Sequence, residues 1–130
     1  MTMPEKNSSE YKHSELTSRI IRCAFKVHST LGPGFPENVY QKALFRELTL
    51  AGLPSQVEKI FRVSYEGAIC GEFRVDLYVD ENVTVELKAL DELNDNHLSQ
   101  CLSYLKASGN DLVLLMNFGQ RSLKIKRVIC

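Results

Sequence analysis

Residues 73–88 of this 130-residue chain read FRVDLYVDENVTVELK, and this stretch decides the fold. Apolar and polar residues alternate on both sides of Asp80-Glu81-Asn82, which predicts two antiparallel strands joined by a tight turn. The alternation assigns the inner face to Phe73, Val75, Leu77 and Val79 in one strand and to Val83, Val85, Leu87 and Ala89 in the other. The charged residues are then expected together on the opposite face of the hairpin. They are Arg74, Asp76, Glu86 and Lys88.

Two helices are predicted upstream of this hairpin. Ser14 is a plausible N-cap, and the apolar residues after it recur at helical spacing as far as Leu31. Gly32-Pro33-Gly34 stops that helix. We do not interpret this loop as a phosphate site, because it follows a helix and matches no phosphate-binding fingerprint. A second apolar stripe runs from Pro36, which is tolerated in a first helical turn, to Gly52.

The other segments complete an α/β (or α+β) sheet flanked by helices. Residues 57–65 alternate like a strand, and Glu66-Gly67 would join them to the hairpin as an antiparallel meander. Residues 94–108 return to helical period, and the apolar run at 112–116 is typical of a strand buried on both faces. A last strand is expected near residues 122–129. The predicted order is therefore α-α-β-β-β-α-β-β.

The chain length and the net charge limit the classes of protein to which this chain can belong. A chain of 130 residues suits one domain, predicted here over residues 14–130 after a polar, flexible tail at residues 1–13. Lys and Arg number 16 and Asp and Glu number 16, so the formal net charge is zero. This balance argues against a protein that coats nucleic acid through bulk charge, and it leaves room for a local basic surface.

The cysteines and the hydropathy indicate a reduced, intracellular protein. The four cysteines form no C-x-x-C motif, so structural zinc is not expected, and reduced, mostly buried thiols are favoured over disulfides. Residues 1–14 lack the apolar core of a signal peptide. No apolar stretch approaches the roughly 20 residues that cross a bilayer. We therefore expect a cytoplasmic protein without a membrane partner.

The charged face of the hairpin has the residue types of a metal-dependent hydrolase. Asp76 and Glu86 offer hard carboxylate oxygens for Mg²⁺ or Mn²⁺, and such an ion would relieve the repulsion between neighbouring carboxylates. Lys88 could orient or help deprotonate a water and offset charge on a phosphate. The alternative is a solvated hairpin face with a cross-strand ion pair, which is the more common role of alternating charges.

Two helical segments could add side chains to this site. His97, Gln100 and Tyr104 fall at i, i+3 and i+7, a helix face separate from the apolar stripe. Packing against the sheet could bring Gln100 and Tyr104 near the carboxylates, whereas His97 is expected to face solvent. Glu37 lies in the first turn of the second helix, where favourable interaction with the helix dipole is a sufficient explanation.

The charges are segregated along the chain. Residues 72–95 carry eight acids and two basic residues, whereas the segment after Asp111 has no acid and four basic residues. The basic residues are Arg121, Lys124, Lys126 and Arg127. A metal site beside a basic strand would suit a phosphodiester backbone. The alternative is a charged edge strand that discourages aggregation.

The order of these motifs resembles the GxxExxY family, which is assigned to the PD-(D/E)XK nuclease-like superfamily. The resemblance spans roughly residues 15–129. It is carried by Gly34-x-x-Glu37-x-x-Tyr40, Arg74-x-Asp76, Glu86-x-Lys88, Gln100-x-x-x-Tyr104-Leu105 and Asn117-Phe118-Gly119. It implies a restriction-endonuclease-like α/β fold with a mixed sheet flanked by helices.

The resemblance also implies a set of site residues. Asp76, Glu86 and Glu37 would hold Mg²⁺ or Mn²⁺. Lys88 would be the catalytic lysine, and Gln100 would complete the catalytic set from the helix beside it.

Two further residues would support that set, and two positions depart from the expected pattern. Tyr104 and Arg74 are the supporting residues. Val75, and not proline, precedes Asp76, and Pro36 directly before Glu37 could alter how that carboxylate is presented.

Two classes of function are compatible with these residues. The leading one is a Mg²⁺-dependent nuclease that hydrolyses phosphodiester bonds of DNA in repair, recombination or defence. The alternative is a non-catalytic nuclease-fold module that binds nucleic acid or a partner protein, because so small a chain leaves little sequence for substrate recognition. A purely structural subunit is a third reading. A homodimer would allow two sites to act on two strands.

Overall fold

The computed structural model describes residues 8–129, in the predicted order of helices and strands. Residues 1–7, part of the tail predicted over residues 1–13, and Cys130 lie outside the described residues. The elements are α1 (Ser8–Leu31), α2 (Glu37–Leu50), β1 (Ser55–Tyr65), β2 (Ala68–Val79), β3 (Val83–Lys88), α3 (Asp95–Ser108), β4 (Leu112–Asn117) and β5 (Lys124–Ile129). No helix within this range is both long and apolar enough to cross a membrane.

The first helix begins earlier than its sequence predicted. α1 includes residues 8–13, so Ser14 lies inside the helix and the prediction that it is the N-cap is wrong. A tertiary contact explains the extension, because buried His13 places its Nε2 3.3 Å from Asp111 Oδ1 beside β4. Local capping preference is weak enough for such packing to override it.

The five strands form one mixed sheet in the order β1-β2-β3-β4-β5. β1, β2 and β3 are the predicted antiparallel meander, β3 and β4 run parallel with α3 as the crossover, and β5 returns antiparallel to β4. Parallel strands need such a crossover, and the helices cover both faces of the central strands. Every residue of β4 is buried as a result. The α/β prediction of a restriction-endonuclease-like mixed sheet is confirmed.

Two apolar clusters lie on the two faces of the sheet. The α1–α2 cluster packs the first two helices against the odd-numbered residues of β3 and the even-numbered residues of β4. The α3 cluster packs the third helix against the opposite face and contains Val75, Tyr78, Cys101, Tyr104, Leu105, Val113, Leu115 and Val128. The described thiols are free, with Cys23 and Cys101 buried and Cys70 exposed.

The segment after β3 is fixed to the segment after β4. The Asn117 side chain accepts the N–H of Leu90 at 2.9 Å and donates to the carbonyl of Leu90 at 3.0 Å. A Cβ built on Gly119 would lie 2.4 Å from the Leu90 nitrogen and 2.4 Å from its oxygen. Glycine is therefore required at position 119 by the close approach of two backbones directly beyond Lys88.

Gly119→Ala should lower the free energy of unfolding by about 1–3 kcal/mol, because a backbone segment with two hydrogen bonds must shift to admit the methyl group. Urea denaturation would measure this loss. Gly71→Ala is the matched control, since a Cβ at Gly71 meets nothing within 4 Å. Equal stability of the two variants would contradict the packing shown at Gly119.

Candidate active site

The side-chain alternation of β2 changes phase at Asp76. Phe73 and Val75 pack with the α3 cluster, whereas Leu77 and Val79 pack with the α1–α2 cluster on the other face. The prediction of a single inner face through all four residues was therefore wrong.

The irregularity has a counterpart on the neighbouring strand. Glu58 has a left-handed φ of 54°, and the β1–β2 register passes from Val57↔Leu77 to Lys59↔Val75 without a pair at Asp76. Such a break in a ladder re-aims side chains.

Beyond this point β2 and β3 separate, and carboxyl groups fill the space between them. The paired ladder ends at Leu77↔Val85. The backbone N–H of Asp76 then donates to Glu86 Oε1 at 3.0 Å, and the N–H of Leu87 donates to Asp76 Oδ2 at 2.7 Å. Each strand thus satisfies a backbone donor of the other with a carboxylate, which holds the two acids side by side.

Burial and mutual repulsion disfavour a double negative charge at this position. Burial first, and then the Asp76 carboxylate, raise the pKa of Glu86 to about 9. Burial also raises the pKa of Asp76, against the opposing effect of the Leu87 N–H, and the charge of Glu37 raises it further. At neutral pH Glu86 therefore keeps its proton, and a bound cation could take the place of that proton.

The α3 side of the sheet supplies a cation and two hydrogen-bonding side chains. Lys88 ends β3, and its Nζ donates to Gln100 Oε1 at 3.5 Å. The Lys88 charge also lowers the pKa of both Asp76 and Glu86, although less than burial raises it. Tyr104 is buried, and its burial and the two carboxylates raise the pKa of its phenol, so it remains a hydrogen-bond donor across the physiological range.

A comparison with protein families shows the superfamily to which this chain belongs. Residues 14–128 match the model of the PD-(D/E)XK nuclease superfamily. The chain belongs to this superfamily. The crystal structure of SSO0001 is similar in fold, with a TM-score of 0.58 at 15% sequence identity. That similarity covers 94% of this chain and 61% of the other, so this chain spans less than two thirds of its length. No match is found among the curated proteins.

The structure brings the Asp76 and Glu86 carboxylates together between β2 and β3, and Lys88 ends β3 beside them. Glu37 is exposed at the start of α2, close enough for its charge to raise the pKa of Asp76. Among the side chains that the structure describes, those of residues 13–129, there is no group of three His, Cys, Asp or Glu that could hold a metal.

Arg74 and His97 have other positions. Arg74 lies between Phe73 and Val75, which both face α3, so its side chain points to the opposite face from Lys88. There its guanidinium is exposed and lies 4.0 Å from the Glu58 carboxylate. The expectation that Arg74 shares the carboxylate face was wrong, because it assumed uniform alternation through Asp76. His97 Nδ1 accepts the Asn94 N–H and completes a capping box at the start of α3.

The sequence motifs did not reveal Gln41 as part of the site. Its Nε2 donates to the Asp76 carbonyl at 3.0 Å, so α2 holds the irregular point of β2 directly. A signal for it was present, since Gln41 follows Glu37 by four residues and shares its helix face.

Tyr40 and Phe118, by contrast, support the fold around the site. The Tyr40 hydroxyl donates to the Gly32 carbonyl at 2.5 Å, and its ring stacks on Phe118 with centroids 4.8 Å apart. These contacts fix the loop before α2 against the segment after β4.

Proposed function

We propose that this chain is a divalent-metal-dependent nuclease that hydrolyses phosphodiester bonds of DNA, in repair, recombination or defence. The buried Asp76–Glu86 pair beside Lys88 carries the proposal, because such a pair is costly to retain without a cation to neutralise it. Membership in the PD-(D/E)XK nuclease superfamily supports it, since its members typically use divalent metals. We also propose the finer assignment to the GxxExxY family, from the motifs of α2, β3 and α3.

The residues present fit Mg²⁺ or Mn²⁺. Mg²⁺ is usually bound through one or two carboxylates and keeps several waters or substrate phosphate oxygens. Asp76 and Glu86 supply two carboxylates, and the raised pKa of both groups indicates a place where positive charge is favoured. Glu37 is proposed as a third acidic contributor from α2. A bound divalent ion would polarise the phosphate and lower the pKa of a water.

The chain's own side chains would then orient the substrate and handle charge. The Lys88 ammonium would hold the attacking water and offset negative charge that develops on the phosphate. Gln100 accepts a hydrogen bond from Lys88 and would direct it toward the site. Gln41 and the Leu87 N–H hold the Asp76 segment, so the carboxylates need little rearrangement during the reaction.

Purified protein should cleave DNA in Mg²⁺ or Mn²⁺ and lose this activity in EDTA. The measurement is a gel assay of single- and double-stranded DNA and RNA under both conditions. The wild-type protein with EDTA is the control for contaminating metal-independent nucleases. Absence of cleavage of every substrate in both metals would overturn the proposal.

A non-catalytic module that binds nucleic acid or a partner protein is the second candidate. It is favoured by the neutral state that burial imposes on Glu86 when no cation is bound. Calorimetry with Mg²⁺ separates the two, because nucleic-acid binding without any metal binding would support the module and exclude the nuclease.

A further inference from the structure

The register across the sheet brings two lysines of β5 onto the same face as the active site. Lys88 pairs with Asn117 of β4, which pairs with Lys124 of β5. Residues paired in adjacent strands point to the same side of a sheet, so the Lys124 side chain lies on the Lys88 side. Two strand spacings separate their Cα atoms, a distance of about 10 Å.

A second set of paired residues, two positions away on each strand, repeats this arrangement. Glu86 pairs with Leu115, and Leu115 pairs with Lys126. Leu115 belongs to the α3 cluster, which confirms that this face is the one that α3 covers. Lys124 and Lys126 thus form a basic row beside the acidic pair, at the same end of the sheet.

The charge of this basic row is not neutralised within the part of the chain that the structure describes. Lys124 and Lys126 are exposed, and neither has an ion-pair partner among the described side chains of residues 13–129. Arg127, on the other face of β5, instead donates to the buried Thr17 hydroxyl at 3.3 Å. The groove that Lys124 and Lys126 line also contains Glu92, an acidic side chain of the loop before α3.

We infer that Lys124 and Lys126 bind the phosphate backbone of the nucleic acid on one side of the scissile bond. The inference rests on the proposed function and names the surface that holds its substrate. Flexible lysine side chains on a strand whose backbone lies about 10 Å from Lys88 can reach backbone phosphates a few nucleotides from the site, since successive phosphates of one strand advance about 3.4 Å along the helix axis. Phosphate contacts fix register without reading sequence.

The alternative role of an edge lysine is to discourage strand pairing between molecules. That role requires exposed charge on β5, and it does not require a position on the face of the active site. The two roles differ in one measurable property, because bound phosphates release counterions and an aggregation-blocking charge does not.

The test compares Lys124→Ala/Lys126→Ala with wild-type protein on two duplex DNAs of unrelated sequence. Binding is followed by fluorescence anisotropy across a KCl series, in Ca²⁺ so that the duplex is bound without turnover. We expect roughly tenfold weaker binding, and a plot of log affinity against log salt whose slope is less steep by about 1.8, or 0.9 per lost phosphate contact. The effect should be equal for both sequences.

Lys42→Ala/Lys106→Ala is the matched control. It removes the same charge from exposed positions on α2 and α3, outside the basic row. Its affinity and salt slope should stay close to wild type, and an equal loss in both double variants would show that only total charge matters.

Two other outcomes separate the inference from the proposed function. Wild-type affinity and slope in the Lys124/Lys126 variant would overturn the inference and leave the nuclease proposal standing. A wild-type protein that binds neither duplex and none of their separated strands would overturn both.

Discussion

Lys88→Ala should lower Mg²⁺-dependent DNA cleavage by about 10²–10⁴-fold, the range expected for loss of a positioned proton-transfer or charge-stabilising group. Lys88 is the cation closest to the carboxylate pair along β3, and it lowers the pKa of both acids. Its side chain is half-buried at the end of a strand, so its removal creates no large cavity. The measurement is the cleavage rate at saturating substrate.

Two controls separate chemistry from folding. Lys106→Ala removes an exposed lysine from the last turn of α3 and should leave the rate within a few-fold of wild type. Thermal unfolding of Lys88→Ala should remain close to wild type. Gln100→Ala should cause a smaller loss, because Gln100 acts through Lys88. Full activity of Lys88→Ala would exclude the proposed mechanism, whatever the fold.

The strand period was enough to predict the face on which Glu86 and Lys88 lie. Val83, Val85 and Leu87 face one cluster, as their alternation predicted, so Glu86 and Lys88 had to face the other side. Because β3 is short, buried and regular, the alternation of its residues determines the face on which each side chain lies. The order of the helices and strands followed from equally local signals.

The same rule misplaced Arg74 because β2 is irregular. Its phase change at Asp76 lies opposite Glu58, which has a left-handed backbone. A non-glycine residue in that region is uncommon and has no marker in the sequence. The irregularity is held by contacts from distant segments, including Gln41 on α2, which is 35 residues away in the chain. Functional sites are where such departures from local rules are expected.

The ionised Glu86 carboxylate should destabilise the metal-free folded protein, whereas it should strengthen metal binding. The pKa of Glu86 is about 9 in the folded protein, against its ordinary value of 4.5. Between these values the folded chain keeps the proton and the unfolded chain releases it. The stability that Glu86 contributes is therefore fully present below about pH 4.5 and is lost as pH rises toward 9.

Glu86→Gln should remove this pH dependence and stabilise the metal-free protein at pH 8. Glutamine is isosteric with the neutral acid, can accept the Asp76 N–H and can donate to the Asp76 carboxylate. Each pKa unit corresponds to about 1.4 kcal/mol, so we expect a gain of at least about 1 kcal/mol at pH 8 in EDTA, shrinking toward pH 5. Urea denaturation across that pH range measures it, and Glu15→Gln, an exposed acid on α1, should change little.

Mg²⁺ should reverse the order of stability of wild-type protein and Glu86→Gln. An ion that binds the folded state raises its stability in proportion to the logarithm of ligand concentration over Kd. Wild-type protein should therefore gain stability as Mg²⁺ is added, while Glu86→Gln, with one carboxylate of the pair lost, should gain little and show weak or no heat of Mg²⁺ binding in calorimetry. An equal Mg²⁺ response in the two proteins would place the ion away from Glu86. A Glu86→Gln protein that is less stable than wild type at pH 8 in EDTA would show that the ionised Glu86 carboxylate does not destabilise the metal-free fold.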